Sequence, residues 1–258
     1  MSETTDRSLL LRGITKSYET GAGGSKTVLE GIDLHIGPGE LVVLLGANGS
    51  GKSTTLKIAS GMIAPTAGEV RIGRTDITQM RGETRRQSRM KLGMVFQDAR
   101  LIRRRSVLSN VLCGTLGRHQ NIATALGFLP QAERPLAMAC LERVGLGALA
   151  GQRASTLSGG QAQRVSVARA LAQKPSVILA DEPVASLDPE SAEEVMTLLT
   201  TVARNERLAV LCVLHQIDLA RRHATRRIGL KKGHIAFDLP ASEVTDTMIS
   251  TLYTRYAP

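Results

Sequence analysis

The segment GANGSGKS at residues 46–53 limits the possible folds of this chain more than any other feature. It matches the pattern G-x-x-x-x-G-K-[ST], follows the apolar run Leu41–Leu45 and precedes a helical pattern that begins at about Lys52. In such a loop, glycines let backbone N–H groups surround phosphate oxygens, and the lysine places its charge near the β and γ oxygens. The sequence therefore predicts a buried strand, a phosphate-binding loop and a helix. The residues predicted to contact the phosphates are Gly46, Ala47, Asn48, Gly49, Ser50, Gly51, Lys52, Ser53 and Thr54.

Two carboxylates directly follow a second apolar run. Val177–Ala180 predicts a buried strand, and Asp181 and Glu182 come immediately after it. Ligands of open α/β sheets bind at the carboxyl ends of the strands. We expect Asp181 to hold Mg²⁺ together with the hydroxyl of Ser53, because Mg²⁺ prefers hard oxygen ligands. Glu182 can orient and polarise an attacking water. Solvated strand ends often carry carboxylates, so the prediction depends on their combination with the phosphate loop.

Strand and helix patterns alternate along most of the chain. The helical pattern Pro189–Val202 is followed by the apolar run Leu208–Leu214. Such alternation predicts a mostly parallel sheet with helices on its faces. Apolar and polar residues alternate near the N-terminus, which predicts an additional β part there. Residues from about 106 to 149 have a helical pattern, so we expect an inserted helical subdomain.

Composition excludes several classes of protein. The longest apolar runs are much shorter than the roughly 18 residues that a membrane span needs. Cys113, Cys140 and Cys212 are far apart, which favours a reduced compartment and buried thiols. The net charge of +10 fits an anionic membrane face, an acidic partner, nucleic acid or solvated helix faces. Nucleic acid is not expected, since only 2% of the residues are aromatic and stacking platforms would be few.

The sequence LSGGQ at Leu157–Gln161 resembles the signature of ABC-type ATPases. Other matches to that family follow in the expected order along the chain: Tyr18 resembles the aromatic residue that stacks on adenine, Gln97 the Q-loop glutamine, Ser186-Leu187-Asp188 the D-loop, and His215 the switch histidine. The resemblance implies a P-loop ABC ATPase fold of class α/β. It has a mixed, mainly parallel sheet core, an N-terminal antiparallel β part and an inserted α-helical subdomain. We expect one domain over 1–258, with a core of 1–97 and 151–258 and the helical subdomain at about 98–150.

The resemblance also implies the reaction and the roles of the residues. The reaction is hydrolysis of ATP with Mg²⁺, in a homodimer that encloses each ATP between the phosphate loop of one copy and the signature of the other. The residues implied in catalysis are Lys52, Gln97, Glu182 and His215. The residues implied as Mg²⁺ ligands are Ser53, Gln97 and Asp181. The residues implied to contact the nucleotide across the dimer are Ser158, Gly159, Gly160, Gln161 and Asp188.

A closer similarity is to the ATP-binding subunits of phosphonate importers. It is carried by Ser106–Arg118, Gln152–Arg164 and Ala180–Ala192, and the segments Leu214–Arg222 and Ile249–Tyr253 are similar too. The similarity implies two transmembrane permease subunits, a periplasmic or lipid-anchored solute-binding protein, and a peripheral location on the cytoplasmic face of the inner membrane. Two alternatives stay open: an importer for phosphate, phosphite or another solute, and a soluble accessory ATPase of an enzyme complex that cleaves carbon–phosphorus bonds.

Overall fold

The protein is described from a computed structural model that covers residues 7–21, 24–119, 124 and 128–254. Two β-sheets and a set of helices make up this part of the chain. The strands are β1 (Leu9–Thr20), β2 (Gly24–Ile36), β3 (Leu41–Leu45), β4 (Ala67–Ile72), β5 (Thr75–Asp76), β6 (Leu92–Val95), β7 (Val177–Asp181), β8 (Ala209–Val213), β9 (Arg226–Lys231) and β10 (His234–Pro240). The helices are α1 (Lys52–Ala59), α2 (Gly82–Arg89), α3 (Val107–Leu112), α4 (Arg134–Arg143), α5 (Gly159–Ala172), α6 (Pro189–Glu206), α7 (Ile217–His223) and α8 (Asp246–Tyr253).

The larger sheet has the strand order β10-β9-β3-β8-β7-β6. Its strands are parallel except for β10, which pairs antiparallel with β9 at the edge. Asp181 of β7 lies opposite Val213 of β8, and Val213 lies opposite Leu44 of β3. This register brings the residues that follow β3, β7 and β8 to one edge of the sheet.

The two faces of this sheet contribute to two apolar cores. Along β3 the side chains alternate, since successive residues of a strand point to opposite faces. Leu41, Val43 and Leu45 join a cluster with the helices α3 to α8, whereas Val42 and Leu44 join a cluster with α1 and the strands of the smaller sheet. All five residues are buried, which is why the run is apolar without alternation.

The smaller sheet is antiparallel, with the order β2-β1-β4-β5. Its inward residues include Leu9, Leu11 and Ile14, all fully buried, and they pack in the same cluster as α1. The predicted N-terminal antiparallel β part is therefore confirmed. The strands β4 and β5 and the helix α2 were not anticipated from the sequence.

The helices α3, α4 and α5 pack against one another on the opposite side of the parallel sheet. A tight 3-10 segment, Cys113–Arg118, follows α3 and passes very close to α5. A β-carbon at Gly114 would overlap the backbone carbonyl oxygen of Arg169 in α5. A glycine is thus required where the two segments touch.

The α/β fold class predicted from the sequence is confirmed, and Leu41–Leu45 forms a strand with the predicted bounds. The helix predicted over Pro189–Val202 continues to Glu206, and the strand expected over Leu208–Leu214 covers Ala209–Val213. The subdomain boundary near residues 98 and 150 stays a prediction. Across the described ranges, no helix is long and apolar enough to cross a membrane.

The arginines of the basic segment at residues 221–227 form contacts within the chain. Arg221 pairs with Asp246, Arg222 with Glu193, and Arg226 with Glu40 and Asp238. Arg227 is buried and donates to the carbonyl of Ala241. Much of the charge in residues 221–227 therefore ties α7 and β9 to their neighbours.

We expect Gly114→Ala to lower the free energy of unfolding by about 1–3 kcal/mol, because the added methyl group meets the carbonyl of Arg169. Gly151→Ala is the matched control, since a β-carbon there meets no atom within 4 Å and the expected change is within about 0.5 kcal/mol. Urea unfolding followed by circular dichroism measures both. Equal effects of the two substitutions would contradict the close packing of residues 113–118 against α5.

Candidate nucleotide site

The phosphate loop joins β3 to α1 and depends on two glycines with left-handed backbone angles. Gly46 has φ of 153° and its missing side chain allows contact with the carbonyl of Leu230. Gly51 has φ of 112°, and a β-carbon added there would lie only 2.5 Å from the side chain of Leu29. Any other residue at either position would be strained and crowded. The loop is therefore packed directly onto β2 and β9.

Lys52 is the first residue of α1 and is only 6% exposed. Its ammonium group donates hydrogen bonds to the carbonyl oxygens of Gly46 at 2.7 Å and Ala47 at 3.1 Å. Burial lowers the pKa of Lys52, while the nearby carboxylates of Glu182 and Asp181 act in the opposite direction. The lysine thus lies within electrostatic reach of both acidic residues and is held by its own loop.

Asp181 and Glu182 are located at the carboxyl end of β7. Burial raises the pKa of Asp181, and the adjacent charge of Glu182 raises it further, whereas Lys57, Arg100 and Lys52 oppose the shift. The basic neighbours therefore do not fully compensate this acidic pair. A bound cation would remove the repulsion, so the residues present fit the Mg²⁺ ion that the sequence implies.

Glu182 has a left-handed backbone with φ of 48°, and its N–H donates to the carbonyl of Val213 at 3.1 Å. Non-glycine residues with this geometry are uncommon and concentrate at functional sites. The turn directs the carboxylate toward the end of β8, where Glu182 Oε1 and His215 Nε2 are 2.8 Å apart. The structure therefore brings Lys52, Asp181, Glu182 and His215 together at one edge of the sheet.

The loop contains one buried polar atom that needs a partner. Ser50 is 5% exposed, and its Oγ has no hydrogen-bond partner among the described residues. Buried hydroxyl groups are normally satisfied. Ser50, Gly51 and Lys52 precede or open α1, where the helix dipole favours an anion. A phosphate group in the loop would satisfy this orphaned hydroxyl.

The LSGGQ segment forms the start of α5. Ser158 caps the helix: its Oγ accepts from Gln161 N at 3.2 Å, and its N–H donates to Gln161 Oε1 at 3.1 Å. Ser158 and Gly159 are exposed, whereas Gly160 is buried against Ser191 of α6. The exposed start of α5 has backbone N–H groups that no carbonyl of the helix can satisfy.

Asp188 caps α6 in the same way, with Oδ1 accepting from Ser191 N at 2.9 Å. The backbone N–H of Ser191 lowers the pKa of Asp188. Within the described residues, no hydrogen bond or ion pair connects Asp188 or the Ser158–Gln161 cap to Lys52, Asp181, Glu182 or His215. The predicted nucleotide contacts thus form two separate groups on one chain.

Among the described residues, Tyr18 and Gln97 make no hydrogen bond with either group. Gln97 nevertheless leaves β6 at the same edge of the sheet as Asp181, because Val95 of β6 lies opposite Ala180 of β7. Tyr18 belongs to β1 and is 43% exposed, so one face of its ring can contact a ligand. Gln97 follows the end of β6 by two residues and is exposed. Both residues remain candidates from the sequence resemblance.

Two residues of α5 that the sequence analysis did not select hold the Gln97 segment. Gln163, which is 2% exposed, donates to the carbonyl of Phe96 at 2.8 Å. Arg169 donates to the carbonyls of Ala99 at 2.7 Å and Arg100 at 2.8 Å. The available signal was a polar residue, Gln163, on the apolar face of the helix that follows LSGGQ. The segment around Gln97 is thereby attached to the helix that the LSGGQ segment begins.

Comparison with known proteins identifies the family. The model of the family "ABC transporter" matches residues 29–185, which is more than half of the chain. The chain belongs to the ABC transporter family. Its ATP-binding fold and its reaction, hydrolysis of ATP, follow from that membership, and the resemblance inferred from the motifs is confirmed.

Relatives of known name match over almost the full chain. The phosphonates import ATP-binding protein PhnC of Shouchella clausii is 45% identical over 95% of this chain and 91% of its own length. The protein of the same name from Frankia casuarinae is 45% identical over 95% of each chain. A phosphate-import ATP-binding protein PhnC from Mycolicibacterium smegmatis is 44% identical over 97% of this chain and 93% of its own. The similarity to phosphonate-importer subunits is therefore confirmed.

Solved structures agree with the fold. A dimeric ATP-binding cassette in a post-hydrolysis state with ADP and Pi has a TM-score of 0.77 and 34% identity, over 90% of this chain and 98% of that chain. Another cassette of an ABC transporter, in its ADP conformation, has a TM-score of 0.81 at 24% identity, over 95% and 97% of the two chains, and supports the fold alone.

We expect Asp181→Asn to stabilise the nucleotide-free protein at pH values above the raised pKa of Asp181, because it removes a carboxylate whose pKa burial and the adjacent Glu182 raise. A carboxyl whose pKa is raised by folding contributes to the stability of the folded state when it is protonated. This contribution is complete below the ordinary pKa and is lost as the pH rises through the raised pKa. The stabilisation by Asn should therefore shrink as the pH falls toward about 4, the ordinary pKa of an Asp side chain. Thermal unfolding without Mg²⁺ at several pH values measures it. A stabilisation that does not change with pH would contradict this electrostatic account.

Proposed function

We propose that this chain is the ATP-hydrolysing subunit of an importer for phosphonates or a related phosphorus oxyanion. The observation that carries the proposal is the group of Lys52, Glu182 and His215 at the ends of β3, β7 and β8, with Glu182 and His215 2.8 Å apart. Relatives named for phosphonate import, at 45% identity and nearly full coverage, support the choice of solute. The membrane-facing components would be separate chains.

In the proposed reaction, the phosphate loop binds the triphosphate of ATP, and Lys52 moves from the carbonyls of Gly46 and Ala47 to the β and γ oxygens. Glu182 takes a proton from the attacking water while His215, in contact with Glu182, keeps that water in line. The water oxygen bonds to the γ phosphorus, and the bond to the bridging oxygen of ADP breaks. Ser53, Gln97 and Asp181 would hold Mg²⁺, which neutralises charge on the phosphates.

The proposed active unit is a homodimer. Ser158, Gly159, Gly160 and Gln161 present a helix start to solvent, and Asp188 caps the neighbouring helix α6. These residues are separate from the phosphate loop of their own chain, so we propose that they complete the site of a second copy. The phosphate loop of one chain and the Ser158–Gln161 segment with Asp188 of the other would then form one site, and a two-fold axis would relate the two identical chains.

We expect Glu182→Gln to retain ATP binding and to abolish turnover, with a loss of at least about 100-fold in kcat, because general-base catalysis contributes that much. The amide keeps the hydrogen bond to His215 but cannot accept the proton. Phosphate release measures turnover, and size-exclusion chromatography with ATP measures a trapped dimer. Hydrolysis at the parent rate would rule out Glu182 as the base.

The control for the dimer is Ser158→Arg in the Glu182→Gln background. Ser158 is exposed and contacts Gln161 of its own chain, so we expect the monomer to bind ATP with unchanged affinity and the trapped dimer to disappear. An equal loss of ATP affinity in the isolated monomer would instead place the LSGGQ segment in the chain's own site.

A cleft between α5 and the end of β6 is the proposed contact with a permease subunit. Its volume is about 460 Å³, and it is open to solvent. Arg89, Arg100 and Arg169 line it together with Met62 and Phe96. Because Arg169 also holds the Gln97 segment, a permease loop in this cleft would be mechanically connected to the nucleotide site. We propose that the chain is thereby held at the inner face of the membrane.

The phosphate-import relative favours a second candidate solute, inorganic phosphate. The deciding experiment purifies this chain with the permease subunits that copurify from its host and reconstitutes them with the solute-binding protein. We expect ATPase activity to rise several-fold with methylphosphonate and less with phosphate or phosphite. Stimulation by phosphate alone would support the second candidate. Copurification with a soluble carbon–phosphorus-cleaving complex would contradict import.

A further inference from the structure

We infer that Lys16 is a positioning residue for the base of the nucleotide: its ammonium group covers one face of the Tyr18 ring, so that the base stacks on the other face. The inference deepens the proposed function and rests on the stacking role that the sequence resemblance implies for Tyr18. It concerns base recognition alone, since Lys16 is located on β1 and outside the phosphate loop.

Lys16 is fixed at two points. Its Nζ lies 5.0 Å from the centroid of the Tyr18 ring, within the range of a cation–π contact. The same Nζ donates to the carbonyl oxygen of Ala64 at 2.9 Å. Because the ammonium is anchored to the backbone, it stays over one face of the ring. The remaining surface of Tyr18, which is 43% exposed, is the surface that a base can cover.

The anchor also connects the stacking platform to the phosphate loop. Ala64 and Thr66 follow α1, the helix that the phosphate loop begins. Thr66 N donates to the carbonyl of Thr15 at 2.8 Å, and Ser17 N donates to Thr66 Oγ1 at 3.0 Å. The backbone on both sides of Lys16 is thus bound to the segment after α1. These bonds connect β1 beside Tyr18 to the segment that follows the helix of the phosphate loop.

The strand is irregular where Lys16 is located. The register of β1 against β2 shifts between Ile14 and Lys16 and again between Lys16 and Ser17. Such bulges redirect side chains and are common beside functional sites. Here the register shifts at Lys16, and its ammonium group lies over the ring of Tyr18, two residues further along the strand.

Lys26 offers a matched control. It lies directly opposite Tyr18 on β2 and is exposed. Among the described residues, the ammonium over the Tyr18 ring is that of Lys16. The two lysines therefore place the same charge near Tyr18, but the ammonium group over the ring is that of Lys16. A general electrostatic effect on an anionic ligand would be similar for both.

The experiment measures the affinity of the full chain for MgADP and for magnesium pyrophosphate, which lacks the base, by isothermal titration calorimetry. We expect Lys16→Met to weaken ADP binding by about two- to fivefold, because the ring is no longer held in one orientation before the base binds and this loss can reach the size of an exposed cation–π contact; pyrophosphate binding should be unchanged. Lys16→Arg should restore ADP affinity, and Lys26→Met should not change the ratio of the two affinities. Retained pyrophosphate binding also shows that each variant is folded.

A double-mutant cycle with Tyr18→Leu tests whether Lys16 acts through the ring. We expect Lys16→Met to have no further effect on ADP affinity when Tyr18 is absent. An equal loss of ADP and pyrophosphate affinity, or a full effect of Lys16→Met in the Tyr18→Leu background, would overturn the inference. Normal ADP affinity of Lys16→Met while Tyr18→Leu weakens it would overturn the role of Lys16 and leave that of Tyr18. Normal ADP affinity of Tyr18→Leu would overturn both.

Discussion

The parallel register of β3, β8 and β7 is the constraint on which the rest of the structure depends. Leu44, Val213 and Asp181 lie in one row across these strands. A strand shifted by two residues would keep its apolar faces but would move its following loop by about 7 Å, since each residue spans roughly 3.3 Å. The phosphate loop, Glu182 and His215 would then no longer meet. The register that packs these buried strands therefore also brings the residues of the nucleotide site together.

The charges at this edge are balanced only in part without a nucleotide. Lys52 donates to carbonyls of its own loop, and the pKa of Asp181 is raised by burial and by Glu182. Placing a buried lysine and two carboxylates together costs free energy that a phosphate and a cation would offset. Binding of a phosphate and a cation at this edge would therefore also stabilise the folded chain.

The sequence could predict the strands and loops whose residues are limited by local chemistry. Leu41–Leu45 is apolar throughout because it is buried on both faces, and the loop after it needs glycines at positive φ. Helix α2 and the edge strand β6 were not predicted, since α2 is polar around most of its surface and β6 has only four residues. The contacts of Gln163 and Arg169 with the Gln97 segment span about 70 residues of chain, and no local pattern encodes them.

The capping box at Ser158 explains how the start of α5, which we propose contacts the nucleotide of a second copy, is stable in a chain that has no such partner. In the free chain, Ser158 and Gln161 satisfy each other, so the start of α5 is stable without a ligand. The exposed backbone N–H groups of the first turn still favour an anion. Gly160 is packed against Ser191, so α5 and α6 present this turn as one rigid surface. Gln163 and Arg169 join the same helix to the Gln97 segment. In the dimer that we propose, ATP bound to the phosphate loop of one copy would therefore act through α5 of the other copy on the Gln97 segment of that other copy.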